Sequence, residues 1–319
     1  MAKKPDPKPA LVCGGQETAP GRRSRYEVPV SRLPTGSRLS MPVVVVNGKH
    51  PGPTVWLSGA IHGDELNGVE VVRRVLPRID QRTLRGAIIA VPVVNVFGFV
   101  EQSRYLPDGR DLNRSFPGSA RGSMASQLAS LFMKEVVSQC ELGIDLHTAA
   151  SHRINTPQVR ANLDDDETRQ LAVAFGTRFI IDARLRDGSV RAAATKKGIK
   201  VLLYEAGQIH RFDEAAIGAG VNGVLRVLQA MGMGAWDTPP PADTVEIRTT
   251  RWVRARRAGL MQMEAELGAE VKKGDVLGLI SDALGNRAAR VTATMDGHVI
   301  AINQNPLVSQ GDALVHLAS

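Results

Sequence analysis

His62 and Glu65 stand three residues apart in Ser58-Gly59-Ala60-Ile61-His62-Gly63-Asp64-Glu65. An imidazole and a carboxylate at that spacing reach one point from a single turn of chain, and both are ligands that zinc accepts. A catalytic zinc takes three protein ligands and keeps a position for water. His147, in Gly143-Ile144-Asp145-Leu146-His147-Thr148, is the candidate third ligand. Asp145 lies two residues earlier, on the same strand face, where a carboxylate would fix the imidazole's tautomer and orientation. Glu205 ends the apolar run 199–204 and suits a general base beside a metal. Each residue also has an ordinary reading. Glu65 suits a helix's first turn, where the macrodipole favours acids. His62 would then be a loop histidine, His147 a core histidine, and Asp145 and Glu205 partners in caps or salt bridges.

The loop 103–118 adds a second kind of chemistry. It holds Arg104, Arg110 and Arg114 together with Asn113, while Pro107, Gly109, Pro117 and Gly118 exclude helix and strand. Guanidinium forks grip carboxylates through paired hydrogen bonds. A solvated basic loop is the alternative.

These residues must be positioned by the elements around them. Residues 54–57 and 199–207 are apolar runs that read as buried strands, as does 87–94, although Pro92 weakens the latter. Leu66, Val69, Val72 and Leu76 recur at helical spacing and stop near Pro77. Further helices are expected over 124–136, with Ser123 as cap, and over 164–175, 189–197 and 213–231. Further strands are expected at 26–30, 41–46, 143–148 and 179–181. This alternation predicts an α/β domain over 26–236, a mixed, mostly parallel sheet with helices on both faces. His62, Glu65, His147 and Glu205 then fall at the carboxyl edge of the sheet, where such folds bind ligands.

Residues 237–243, with three consecutive prolines, predict a stiff linker. The remainder, 244–319, is expected to be a small all-β domain with an internal repeat: 271–277 is echoed by 308–314. It resembles biotinyl/lipoyl carriers, but residues 293–297, where those carriers present a modified lysine, contain none. The domain therefore reads as structural, as a lid, or as the contact of a homo-oligomer. Residues 1–25 read as a disordered lead-in.

Composition narrows the function. The net charge is +8, yet aromatic residues are only 4% and the arginines are scattered, so stacking platforms for nucleic acid are scarce. The positive field would instead draw small anionic substrates. No run approaches the ~18 apolar residues of a membrane span. Two distant cysteines, Cys13 and Cys140, suggest no disulfide framework and fit a reducing, cytoplasmic compartment.

The ordered motifs 59–65, Ser103-Arg104-Tyr105, Asp111-Leu112-Asn113-Arg114, Asp145-Leu146-His147 and Tyr204-Glu205-Ala206-Gly207 resemble those of the succinylglutamate desuccinylase/aspartoacylase family, a branch of the zinc carboxypeptidase-like fold. The resemblance covers roughly 40–235 and extends to a trailing β-domain. It implies that His62, Glu65 and His147 hold Zn2+ with water, that Glu205 shuttles the proton, and that Arg104 stabilises the oxyanion. Asn113 and Arg114 would bind a substrate carboxylate. The implied activity is hydrolysis of a small N-acyl amino acid or N-acyl diamino acid. A carboxypeptidase acting on peptides is the alternative, against which the shortage of aromatics argues. Two features depart from the family. Its further basic residue upstream of the catalytic glutamate has three candidates, Arg191, Lys196 and Lys197. The aromatic residue from the C-terminal domain has only Trp252 to supply it. Residues 151–160 resemble bacterial members of the family, among them deacetylases of acetylated diaminobutyrate.

Overall fold

The computed structural model describes residues 8–286 and 289–319. Four runs of apolar and small residues form its centre. Arg85–Val91, His50–Gly59, Leu142–Ala149 and Lys200–Gln208 lie side by side in that order and pair in parallel. Such strands need cover on both faces. Val55 and Leu57 turn to one face, toward helices Asn67–Val75, Asp166–Phe175 and Glu214–Ala230. Trp56 turns to the other, toward Met124–Glu135 and Val190–Thr195. The sheet is mixed because its flanks run the other way. Arg38–Asn47 and then Arg22–Arg32 extend it antiparallel on one side, and Arg153–Ala161 on the other. The strand expected at 87–94 stops at Val91, since Pro92 has no N–H to donate.

Arg153–Ala161 divides its outer edge between two partners. Residues 158–161 pair in parallel with Phe179–Asp182, and residues 153–155 pair antiparallel with Gly297–Asn303. Through that second contact Gly297–Asn303, Ala313–Ala318 and Thr250–Arg254 continue the main sheet. A separate four-stranded sheet, built around Gly259–Met263 and Val276–Ser281, packs over them around Val253, Leu277, Val299 and Leu317. The all-β region is thus a two-layered unit, one layer of which extends the α/β sheet. Residues 237–243 are irregular, held where Arg78 donates to the Asp237 carbonyl and Arg226 to that of Pro239.

The disordered lead-in expected over 1–25 requires correction. Residues 1–7 lie outside the described residues. From Lys8 onward the chain is fastened to the body: Leu11–Cys13 and Gln16–Thr18 pair with each other, and Arg22–Arg32 joins the sheet. Cys13 is fully buried in the core, and Asn47 Nδ2 donates to the carbonyls of Pro9 and Thr18. Among the described residues, no helix is long and apolar enough to cross a membrane.

Candidate metal centre and its cleft

The turn from His50–Gly59 into helix Asn67–Val75 is made by small residues under tight constraint. Ala60 takes the left-handed region at φ 46°, uncommon for a residue with a Cβ. A Cβ on Gly63 would lie 1.9 Å from the backbone carbon of Gly98, so the loop is pressed directly onto helix Val96–Glu101. His62 and Glu65 project from this loop; His147 projects from the end of Leu142–Ala149.

The three side chains meet. His62 Nδ1 lies 2.7 Å from Glu65 Oε1, and His147 Nδ1 lies 2.8 Å from Glu65 Oε2. Their potential ligand atoms all fall within 4.8 Å of one another, and all three residues are buried. The Thr148 N–H also donates to Glu65 Oε2, at 3.1 Å. Behind His147 runs a buried chain of donors. Trp56 Nε1 donates to Ser58 Oγ at 3.2 Å, Ser58 Oγ donates to Asp145 Oδ1 at 2.7 Å, and His147 Nε2 is 2.8 Å from Asp145 Oδ2. Both His147 nitrogens thus face carboxylate oxygens; with an ion held at Nδ1, Asp145 would keep the remaining proton on Nε2. Behind His62, Nε2 is 3.3 Å from Asp111 Oδ1, and Asp111 Oδ2 accepts from Arg104 Nε and Nη2. Arg104 Nη1 reaches to 3.5 Å from Glu65.

Charge follows this geometry. Burial opposes ionisation of Glu65, but the adjoining His62 and His147 outweigh it and hold the carboxyl below its usual range. Burial likewise opposes protonation of His147, and Asp145 and Glu65 overcome it, raising that imidazole well above its ordinary value. A dry set of two imidazole nitrogens and one carboxylate, backed by outer carboxylates, fits a divalent ion of zinc's preferences.

The cluster opens into a cleft of about 810 Å³ that is also lined by Arg104, Asn113, Arg114 and Glu205. Glu205 sits beside His147 in register on the neighbouring strand, and its Oε2 accepts from Asn155 Nδ2 at 2.7 Å. Asn113 Oδ1 accepts from the Val190 N–H at 2.9 Å, which leaves its amide nitrogen for a ligand. Of the three basic candidates, Arg191 lines the cleft; Lys197 lines a different hollow, where strands Leu142–Ala149 and Lys200–Gln208 begin. Trp252 lines the cleft too, stacked on His316 with centroids 4.4 Å apart and planes at 6°. Asn155 and Arg160 lie in the segment 151–160 that resembles bacterial members of the family, though nothing in it assigned them a role; His316 and Arg186 left no signal in the sequence. Asp111 was visible in its motif, but its bridging position was not.

Fold and cluster together define an α/β protein with a candidate single-metal site at the carboxyl edge of its sheet. The model of the succinylglutamate desuccinylase/aspartoacylase catalytic domain matches residues 51–231, and the chain belongs to this family. It is 27% identical over 293 residues to the N-alpha-acetyl-L-2,4-diaminobutyric acid deacetylase of Halomonas elongata, covering 87% of this chain and 85% of that one. The crystal structure of a succinylglutamate desuccinylase/aspartoacylase from Rhodobacter sphaeroides superposes with a TM-score of 0.84 at 28% identity, covering 93% of this chain and 95% of that one. The product-bound ectoine utilization protein EutE of Ruegeria pomeroyi shares the fold, with a TM-score of 0.85 at 22% identity and 99% of each chain covered.

Proposed function

We propose that the protein is a zinc-dependent amidohydrolase that removes the acyl group from a small N-acyl amino acid or N-acyl diamino acid. The observation that carries the reading is the convergence of His62, Glu65 and His147 on one buried point in the cleft that holds Glu205 and Arg104. The deacetylase activity named for the Halomonas relative supports the reaction class.

His62 and His147, through Nδ1, and Glu65 would hold the ion. Zinc supplies a Lewis acid and brings the pKa of a water toward ~7. The chain's own groups do the rest. Glu205, aimed by Asn155, takes a proton from the attacking water and returns it to the leaving amine. Arg104 is locked by its paired bonds to Asp111, so its guanidinium is preorganised for the charge that develops on the acyl oxygen. Asn113 and Arg114 bind a carboxylate and fix the orientation of the amide. The products are an amino acid or diamino acid and a short carboxylic acid.

The test is amine release by metal-loaded protein from N-acetyl, N-formyl and N-succinyl amino acids, run against dipeptides. Hydrolysis of acylated amino acids is expected. Cleavage of dipeptides in preference would move the assignment to a carboxypeptidase.

A further inference from the structure

Glu205 stands where its strand stops being regular. From Glu205 to Gln208, Lys200–Gln208 advances three residues while its neighbour advances two, from His147 to Ala149. On the other edge the register also shifts, between Glu205 and Gly207. This is a β-bulge, with Gly207 in the left-handed region at φ 69°. A bulge interrupts the ladder that would otherwise fix the chain, so another contact must hold the backbone beyond Glu205. Asn155 grips the Glu205 carboxylate, but Asn155 itself pairs with the bulge, at Gly207.

Asn67 makes that contact. It is the first residue of helix Asn67–Val75, two places after Glu65, and it is buried. An asparagine near a helix start commonly caps its own helix. Here Leu66 takes the capping position without a side-chain bond, and the Asn67 amide is used elsewhere. Its Oδ1 accepts from the Asp213 N–H at 3.0 Å, and its Nδ2 donates to the Ala206 carbonyl at 3.4 Å. These two partners fix which end of the amide is which. A Cβ on Gly207 would lie 2.6 Å from Asn67 Nδ2, so the amide is packed against the bulge itself. Asp213 in turn caps helix Glu214–Ala230, accepting from the Ala216 N–H at 3.0 Å. The His210 N–H donates to the Asp64 carbonyl at 3.1 Å. Segment 206–213 is thus stitched at three points to residues 64–67, the stretch that also carries Glu65. Asn67 lies outside both the cleft lining and the ligand cluster, so any part it has in the reaction passes through another residue.

We propose that Asn67 is a positioning residue for the general base: it ties the loop bearing His62 and Glu65 to the bulge after Glu205, and so fixes the base relative to the ligand cluster. Misplacing a reacting group by about 1 Å can lower a rate about 100-fold, which is the scale on which such a tie matters. This inference rests on the amidohydrolase reading, in which Glu205 moves the proton, and deepens it.

The experiment measures kcat, KM and zinc content of the metal-loaded protein on whichever N-acetyl, N-formyl or N-succinyl amino acid it hydrolyses fastest. Asn67→Ala, Glu205→Gln and the double variant are compared with the unsubstituted protein. Asn67→Ala should lower kcat about 10–100-fold, with KM changed by less than about threefold and zinc content unchanged. In the Glu205→Gln background the same substitution should lower kcat by less than about threefold, since no base is left to displace. Amide exchange read by mass spectrometry should speed up over 206–213 and hold over 142–149. An unchanged kcat, a loss of zinc, or an equal fall in both backgrounds overturns the proposal while the deacylase reading stands. If Asn67→Ala does not fold, Asn67→Asp is read in the same way; it keeps the size and the acceptor for Asp213 but cannot donate to Ala206. If the unsubstituted protein hydrolyses none of these compounds, the deacylase reading fails and exchange alone decides. Faster exchange confined to 206–213 then supports Asn67 as the tie on the chain beyond Glu205, and unchanged exchange overturns it.

Discussion

Replacing Ser58 by alanine removes one hydroxyl and should damage both stability and metal binding. Ser58, Trp56 and Asp145 are all fully buried, so water cannot replace what is lost. Trp56 Nε1 loses its acceptor, which costs about 1–3 kcal/mol, and Asp145 Oδ1 loses a donor to a charged oxygen, about 1.5–3 kcal/mol. Removing the hydroxyl also relieves its own burial, so the net loss of stability should be about 2–4 kcal/mol. Asp145 in turn orients His147, and loss of such outer support commonly weakens metal binding about 10–100-fold. Urea unfolding of the metal-free protein at neutral pH reads the first quantity. Zinc competition against a chromophoric chelator reads the second. Lower stability with undiminished affinity would mean that the donor chain packs the core without orienting His147. No change in either would refute the reasoning altogether.

Other outcomes follow from the same geometry. Glu205→Gln should lower turnover about 10²–10⁴-fold while zinc content is unchanged, since the carboxylate works on the proton and is not among the clustered ligands. Gly63→Ala should destabilise the protein by roughly 1–3 kcal/mol in urea unfolding and weaken zinc binding, because the added Cβ meets backbone atoms of Gly98 and Phe99. Burial, then the neighbouring Arg160, Arg153 and Arg186, push the His316 imidazole down to about 3 in the folded protein, against an ordinary 6.5. Between those values the unfolded chain holds the extra proton, so stability falls as pH drops below 6.5, by about 2 kcal/mol at pH 5. Urea midpoints at pH 5 and 7.5 should therefore differ less in His316→Phe than in the unsubstituted protein.

The cluster was legible because His62 and Glu205 follow or end the apolar runs 54–57 and 199–204, and because the short segment 143–147 carries Asp145 and His147 two residues apart. The supporting residues were hidden for the opposite reason. Arg153–Ala161 reads Arg-Ile-Asn-Thr-Pro-Gln-Val-Arg-Ala, with neither an apolar run nor alternation, since Arg153, Asn155 and Arg160 turn to the polar cleft. Asn155 reaches Glu205 through an irregularity in pairing register between Glu205 and Gly207, which no local pattern encodes. The continuation of the main sheet into the C-terminal strands is likewise a long-range pairing, Ala301 against Asn155, that leaves no periodicity behind. At the N-terminus, lysine and proline content pointed to disorder, whereas Cys13 and the side chain of Asn47 fasten the chain from Lys8 onward.

The central claim is that His62, Glu65 and His147 hold one divalent ion. Elemental analysis of the purified protein, repeated on His147→Ala after dialysis against a mild chelator, tests it most directly. The account predicts close to one zinc per chain in the unsubstituted protein and almost none in the variant, with both still folded by circular dichroism. A folded variant that keeps its full zinc complement, or an unsubstituted protein that binds none when zinc is supplied, would contradict it.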